Sequence, residues 1–112
     1  MTKAENELIF NDIRNTLTEA SKYEQMAEEC VELAHACMKK ARKLRDENYT
    51  PRKMYTIDDD ISEEFTDVAI CAEMLQLKPD EQLFEEKLKR FQHRIHIGRQ
   101  KPEVIFDENH NC

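Results

Sequence analysis

The sequence predicts an all-α fold, four helices packed as a bundle, and three observations predict it. Glycine occurs once and proline three times in 112 residues, so there is little punctuation for a many-stranded β fold. Charged residues make up 37% of the chain, which suits helices with solvated outer faces. Apolar residues recur at spacings of three and four in four separate stretches. At this length the chain is one small domain with a modest core, which a partner subunit would help to complete.

The first helix opens on Thr2-Lys3-Ala4-Glu5, the spacing of a capping box. Leu8, Ile9, Ile13 and Leu17 follow at helical intervals, and the helix is expected to end near residues 19–21. Ser21 is then the candidate cap of a second helix. From Tyr23 to about Asn48 there is no Gly or Pro, and Met26, Cys30, Leu33, Cys37, Ala41 and Leu44 form its apolar stripe. Asn48-Tyr49-Thr50-Pro51 supplies stop chemistry. Residues 49–59 lack a clear period and carry Tyr49, Arg52, Lys53 and Tyr55. A connection of that length suits either a solvated loop or a cover over a substrate. Asp60-Ile61-Ser62-Glu63 again has capping spacing and introduces a third helix, with Ile61, Phe65, Val68, Ala72 and Leu75 as its stripe. Lys78-Pro79-Asp80 breaks the chain. Asp80 caps a fourth helix marked by Phe84, Leu88, Phe91 and Ile95, which ends near Gly98. The helical domain is therefore read as residues 1–98. A tail, 99–112, contains the short apolar piece Val104-Ile105-Phe106.

Charge narrows the function classes. The net charge of −7 argues against a binder of nucleic-acid polymers, which needs a basic footprint. It leaves room for a nucleotide, because a cation bridges acidic side chains to phosphates. The N-terminus is charged early and does not read as a signal peptide. The longest apolar run, residues 68–72, is too short to span a bilayer. A cytoplasmic protein with no membrane partner is expected. Cys30, Cys37, Cys71 and Cys112 form no C-x-x-C pair, and packing as reduced thiols is expected of the first three.

The chemistry lies in the carboxylates. Glu28-Glu29-x-x-Glu32 sits on the second helix and Glu64-x-x-Asp67 on the third. Residues three apart share a helix face. Glu29 falls at the border of its apolar sector, about 80° from the centre, and Glu32 lies about 60° further round. Glu64 and Asp67 repeat that arrangement, while Glu28 points nearly opposite the stripe. If the two helices pack side by side, both pairs converge. Four converging carboxylates repel one another unless a cation sits between them. A hard divalent cation such as Mg²⁺ takes oxygen ligands and keeps several waters, and it would promote hydrolysis of a phosphoanhydride. With one glycine no Gly-rich phosphate loop is available. Phosphate must then be held by metal and basic side chains, for which Lys39, Lys43, Lys87 and Arg94 are candidates.

The pattern E-E-x-x-E followed by E-x-x-D resembles the signature of the MazG-like all-α nucleoside triphosphate pyrophosphohydrolases. The surrounding Met26-Ala27-Glu28-Glu29-Cys30-Val31-Glu32-Leu33-Ala34 and Glu63-Glu64-Phe65-Thr66-Asp67-Val68-Ala69-Ile70 are similar to it as well. The basic segment Lys87-Leu88-Lys89-Arg90-Phe91-Gln92-His93-Arg94 resembles the family's closing segment more loosely. The resemblance runs from the second helix through the fourth. It implies a MazG-like bundle that assembles as a homodimer or homotetramer. It further implies hydrolysis of a (d)NTP to the monophosphate and pyrophosphate with Mg²⁺, Mn²⁺ being a substitute. Glu29, Glu32, Glu64 and Asp67 would be metal ligands and Glu28 an auxiliary catalytic carboxylate. Two departures stand out: the 31 residues between Glu32 and Glu64 are long for the family, and Asn, frequent there near the position of Phe91 or Gln92, is missing.

Other readings are weaker or coarser. A phosphoribosyl-ATP pyrophosphohydrolase would share the helical plan. A non-catalytic helical interaction protein would leave the carboxylates solvated. A di-metal redox bundle usually needs Glu-x-x-His on two helices; Glu32-x-x-His35 is one instance, and the third helix has no His.

Overall fold

The computed structural model describes residues 1–46 and 54–100, except the side chains of Met54, Arg99 and Gln100. Over these residues the chain forms four helices and no strand: α1 (Lys3–Thr16), α2 (Glu19–Arg45), α3 (Met54–Met74) and α4 (Glu81–Gln100). The all-α expectation is met. Tyr49, Arg52, Lys53, the apolar piece of the tail, His110 and Cys112 lie outside the described residues. The chain divides into two compact units, Met1–Leu77 with α1 to α3 and Lys78–Cys112 with α4.

The capping box of α1 is formed: Glu5 N–H donates to Thr2 Oγ1 at 3.1 Å, and Thr2 N–H donates back to Glu5 Oε2 at 3.4 Å. The helix stops at Thr16, earlier than its apolar pattern suggests, because Leu17 and Thr18 are extended. Thr18, not Ser21, caps α2, its hydroxyl accepting from Ser21 N–H at 3.1 Å. A threonine favours this role because its side chain offers the freed N–H an alternative partner. At the other end α2 closes on Asp46, whose positive φ of 57° is a conformation that Asp tolerates better than most residues. Arg42, Lys43 and Arg45 in the last turn meet the negative end of the helix dipole.

The third helix begins six residues before the expected Asp60, at Met54. Residues 54–59 are therefore helical rather than loop. Ile57 explains the extension, being 1% exposed and the largest fully buried side chain of the described residues. Its burial against α2 stabilises a helical turn that local propensity would leave marginal. Lys40 on α2 also forms an ion pair with Asp58. The helix ends with Gln76 at φ 58°. Gln76 N–H donates to Glu73 O at 3.0 Å and Leu77 N–H to Ala72 O at 2.9 Å. This is a Schellman closure with Gln where glycine is usual.

The seam between α2 and α3 keeps most of the apolar stripe on α3 (Ile61, Val68, Ala72 and Leu75) and half of it on α2 (Met26, Leu33 and Ala41), and on α2 it is rotated toward Glu29, Ala36 and Lys40. On α2 the buried and half-buried positions are Lys22, Met26, Glu29, Leu33, Ala36, Lys40 and Lys43, joined by Ala41 and Arg42 near the end, whereas Cys30, Cys37 and Leu44 are exposed. On α3 they include Ile57, Ile61, Glu64, Val68, Cys71 and Leu75, whereas Phe65 is 61% exposed. Both sets alternate spacings of four and three, as knobs in an antiparallel helix pair do. Lys40 lies beside Asp58, Glu32 beside Glu64 and Glu29 beside Asp67, so one index falls as the other rises and the helices run antiparallel.

Helix α1 is tied to the end of α3 by Arg14. Its Nε donates to Met74 O at 3.0 Å and its Nη2 to Glu73 O at 2.8 Å. Nη1 pairs with Glu7 Oε1 at 3.0 Å, and the guanidinium carbon lies 5.5 Å from the Phe10 ring centroid. The cation thus meets carbonyls of the last turn of a helix, at the negative end of its dipole.

In the second unit Asp80 caps α4 as expected, Oδ1 accepting from Leu83 N–H at 2.8 Å. The helix runs to Gln100, slightly past Gly98. Phe84, Leu88, Phe91 and Ile95 are all exposed.

Candidate metal centre

The seam register decides where the carboxylates go. Glu29 and Glu64 occupy seam positions proper, not the flank, and so face each other between the two helices. Asp67 stands one turn along α3 from Glu64, on the side nearer Glu29. Oxygen atoms from Glu29, Glu64 and Asp67 all lie within 4.8 Å of one another, and each residue is half-buried. Glu32 is exposed, but its carboxylate comes within hydrogen-bonding reach of both Glu29 and Glu64. All four expected ligands therefore gather in one region, three of them in the closer cluster. Glu28 is exposed and lines an outer groove with Val31, Glu32 and His35, apart from the cluster, as its helical angle suggests.

The cluster is electrostatically unsatisfied. Glu29 Oε2 and Glu64 Oε2 are buried atoms that accept no hydrogen bond. Glu29 Oε1 accepts from Gln25 Nε2 at 2.9 Å. Burial raises the Glu29 pKa above its ordinary value; the charges of Glu32 and Asp67 add to it and the Gln25 hydrogen bond opposes it. Burial likewise raises Glu64, helped by its hydrogen bond to Glu32 and by the charges of Glu32, Asp67 and Glu29. Below the cluster the Cys71 thiol is pushed up by burial first, and then by Glu29, Asp67 and Cys30. Cys71 is buried, as a packing thiol should be, but Cys30 and Cys37 are exposed. That correction follows from the same rotation of the seam.

Two cavities adjoin the cluster. One, of about 410 Å³, is lined by Glu32, His35, Lys39, Ile57, Asp60 and Glu64 among others. The other, of about 230 Å³, lies between α1 and the α2–α3 pair and has Glu29 and Asp67 in its wall. Of the four basic side chains expected to hold phosphate, Lys39 lines the first cavity. Lys43 is half-buried on α2, one turn beyond it. Lys87 and Arg94 stand on α4, in the second unit.

Sequence reasoning overlooked Gln25, which sits one turn before Glu29 and fixes its carboxylate. It also read Asp60 as a helix cap, whereas Asp60 lies inside α3 in the wall of the larger cavity. The periodicity held a signal for the first, since residues four apart share a helix face. Asp60 required knowledge of where α3 begins.

Three hard oxygen donors within a few ångströms, the two glutamates among them with orphaned buried oxygens and raised proton affinities, fit a divalent cation of the Mg²⁺ or Mn²⁺ type. Compared with protein-family models, curated proteins and solved structures, the chain has no match. Among the described residues no helix is long and apolar enough to cross a membrane.

Proposed function

We propose that the chain is a MazG-like nucleotide pyrophosphohydrolase. It splits a (d)NTP by water attack at the α-phosphorus, breaking the α–β bridge to give (d)NMP and pyrophosphate. It is a cytoplasmic enzyme that needs Mg²⁺, or Mn²⁺ in its place, and works as a homodimer or homotetramer. The observation that carries this reading is the convergence of Glu29, Glu64 and Asp67 at 4.8 Å or less, with two orphaned buried oxygens. A merely solvated acidic face would have no reason to place two glutamates in a helix seam, where burial without a counter-charge is costly.

Glu29, Glu64 and Asp67 hold the cation, and Glu32 completes the set from the rim. When bound, the cation neutralises phosphate charge and makes a bound water more acidic. Gln25 keeps the Glu29 carboxylate in place through its amide. Lys39 and His35, in the wall of the larger cavity, are placed to meet a phosphate tail on the far side of Glu32 and Glu64. Glu28 is the accessory carboxylate, set in the outer groove beside Glu32.

The test is pyrophosphate release across the common NTPs and dNTPs with Mg²⁺. Activity on at least one of them is expected. Asp67→Asn and Glu32→Gln should each lower kcat by two orders of magnitude or more while helicity by circular dichroism persists. Full turnover in both variants would remove the site from consideration. Failure of every triphosphate, with no Mg²⁺ or Mn²⁺ binding by calorimetry, would favour the non-catalytic interaction protein.

A further inference from the structure

The smaller cavity is chemically unlike the larger one. Its walls are Ile13 of α1, Leu17 just past the end of α1, and Ile70 and Met74 of α3, with Gln25 on one side. The carboxylates form a partition: Glu29 and Asp67 face this apolar space, and Glu32 and Glu64 face the polar one. A ligand that spans the partition needs an anionic end for the side with Lys39 and a flat or apolar end for the side with Ile13 and Leu17. A nucleotide has that polarity.

Gln25 gives the apolar side a direction. Its Nε2 is committed to Glu29 Oε1 at 2.9 Å. The reverse amide orientation would set a carbonyl oxygen against a carboxylate. The amide oxygen of this exposed side chain is thereby turned away from Glu29, at the wall of the cavity. An acceptor held in this way recognises a donor on the base edge. Cytosine N4 and adenine N6 are amino donors, whereas the corresponding position of thymine, and equally of uracil, is a carbonyl acceptor.

We infer that the cavity between α1 and the α2–α3 pair receives the nucleobase, and that the Gln25 amide oxygen selects bases with an exocyclic amino group over those with a carbonyl there. This rests on the nucleotide chemistry proposed above for the carboxylate cluster. Ile70 and Leu17 are exposed enough at the rim to accept a larger side chain without displacing the buried Cys71 and Met74 beneath.

The experiment uses the full chain with Mg²⁺ and the non-hydrolysable α,β-imido analogues of dCTP, dATP and dUTP, with binding read by calorimetry. Pyrophosphate release from the three parent nucleotides is measured alongside. The wild type should bind at least one amino-base analogue about tenfold more tightly than the dUTP analogue, the worth of one buried hydrogen bond made rather than lost. Gln25→Leu should bring that ratio to about one. Because a ratio is read, any general loosening of Glu29 cancels. Ile70→Trp should weaken all three analogues tenfold or more, raising KM far more than it lowers kcat. Leu17→Trp replaces it if circular dichroism shows Ile70→Trp to have lost helix. If the wild type hydrolyses these nucleotides with no preference, or Gln25→Leu keeps the preference and the Trp variants bind normally, the base site is wrong and the pyrophosphohydrolase reading stands. If no analogue binds and no parent nucleotide of any base is hydrolysed, both fall together.

Discussion

A carboxylate at a helix–helix seam needs something to meet its charge, and Glu29 and Glu64 find only other carboxylates and one amide. Their raised proton affinity is the consequence. Between the ordinary carboxylate value of 4.5 and its own raised value, Glu64 binds more protons folded than unfolded. Stability therefore falls as pH rises through that window and stays lower above it. Stripped of divalent cations, the Glu64→Gln variant should melt above the wild type at pH 7.5, and the gap should close as pH falls to about 4.5. Adding Mg²⁺ at pH 7.5 should raise the wild-type melting temperature in step with the logarithm of its concentration, and should leave the variant nearly unmoved. A wild type that melts identically with chelator and with millimolar Mg²⁺ would count against a metal centre. Cys71, buried with its thiol pushed up by that burial and by the adjacent carboxylates, should react with iodoacetamide much more slowly than the exposed Cys30 and Cys37.

At the scale of the element, hydrophobic spacing located four helices and most of the seam face of α3, but misplaced half of the seam face of α2. Cys30, Cys37 and Leu44 formed the better apolar stripe on paper, yet the residues turned toward α3 include Lys22, Glu29 and Lys40. Hydrophobicity cannot find a seam built partly from charges. The same charges are why the candidate site was legible as spacing while its depth was not: Glu29 and Glu64 were placed on a flank and stand in the seam. The capping box at Thr2 and the cap at Asp80 were legible because capping is local chemistry. The start of α3 was not, because Ile57 stands alone before three aspartates and only the face of α2 reveals its value. Two helix ends make stability predictions. Gln76 adopts the left-handed conformation that glycine adopts without a Cβ clash, so Gln76→Gly should stabilise the fold by about 0.5–1 kcal/mol in urea unfolding. Arg14 is the tie between α1 and α3, with its side chain 13% exposed. Arg14→Ala should cost about 2 kcal/mol, the range for hydrogen bonds from a charged donor.

At the scale of the whole molecule, the described residues bury few large apolar side chains: Ala36, Ile57, Cys71 and Met74 make up the hydrophobic core. Phe65 on α3 and Phe84, Leu88 and Phe91 on α4 remain exposed, Phe91 at 62%. A single 20-residue helix is marginal in water without a packed face. Covering a large apolar side chain is worth about 1.5–3 kcal/mol, so a second copy that covered this stripe would supply several such increments. The self-association proposed above would then also help α4 to stay folded. Sedimentation equilibrium at micromolar concentration should give a mass of at least twice 13.4 kDa, with a melting temperature that rises with protein concentration. Leu88→Glu combined with Phe91→Glu should shift the mass toward the monomer and lower the helical signal by roughly the share that α4 contributes. A wild type that sediments as a monomer with its full helicity would refute the coupling. A double variant that becomes monomeric but stays fully helical would show that α4 is covered by its own chain and not by a second copy.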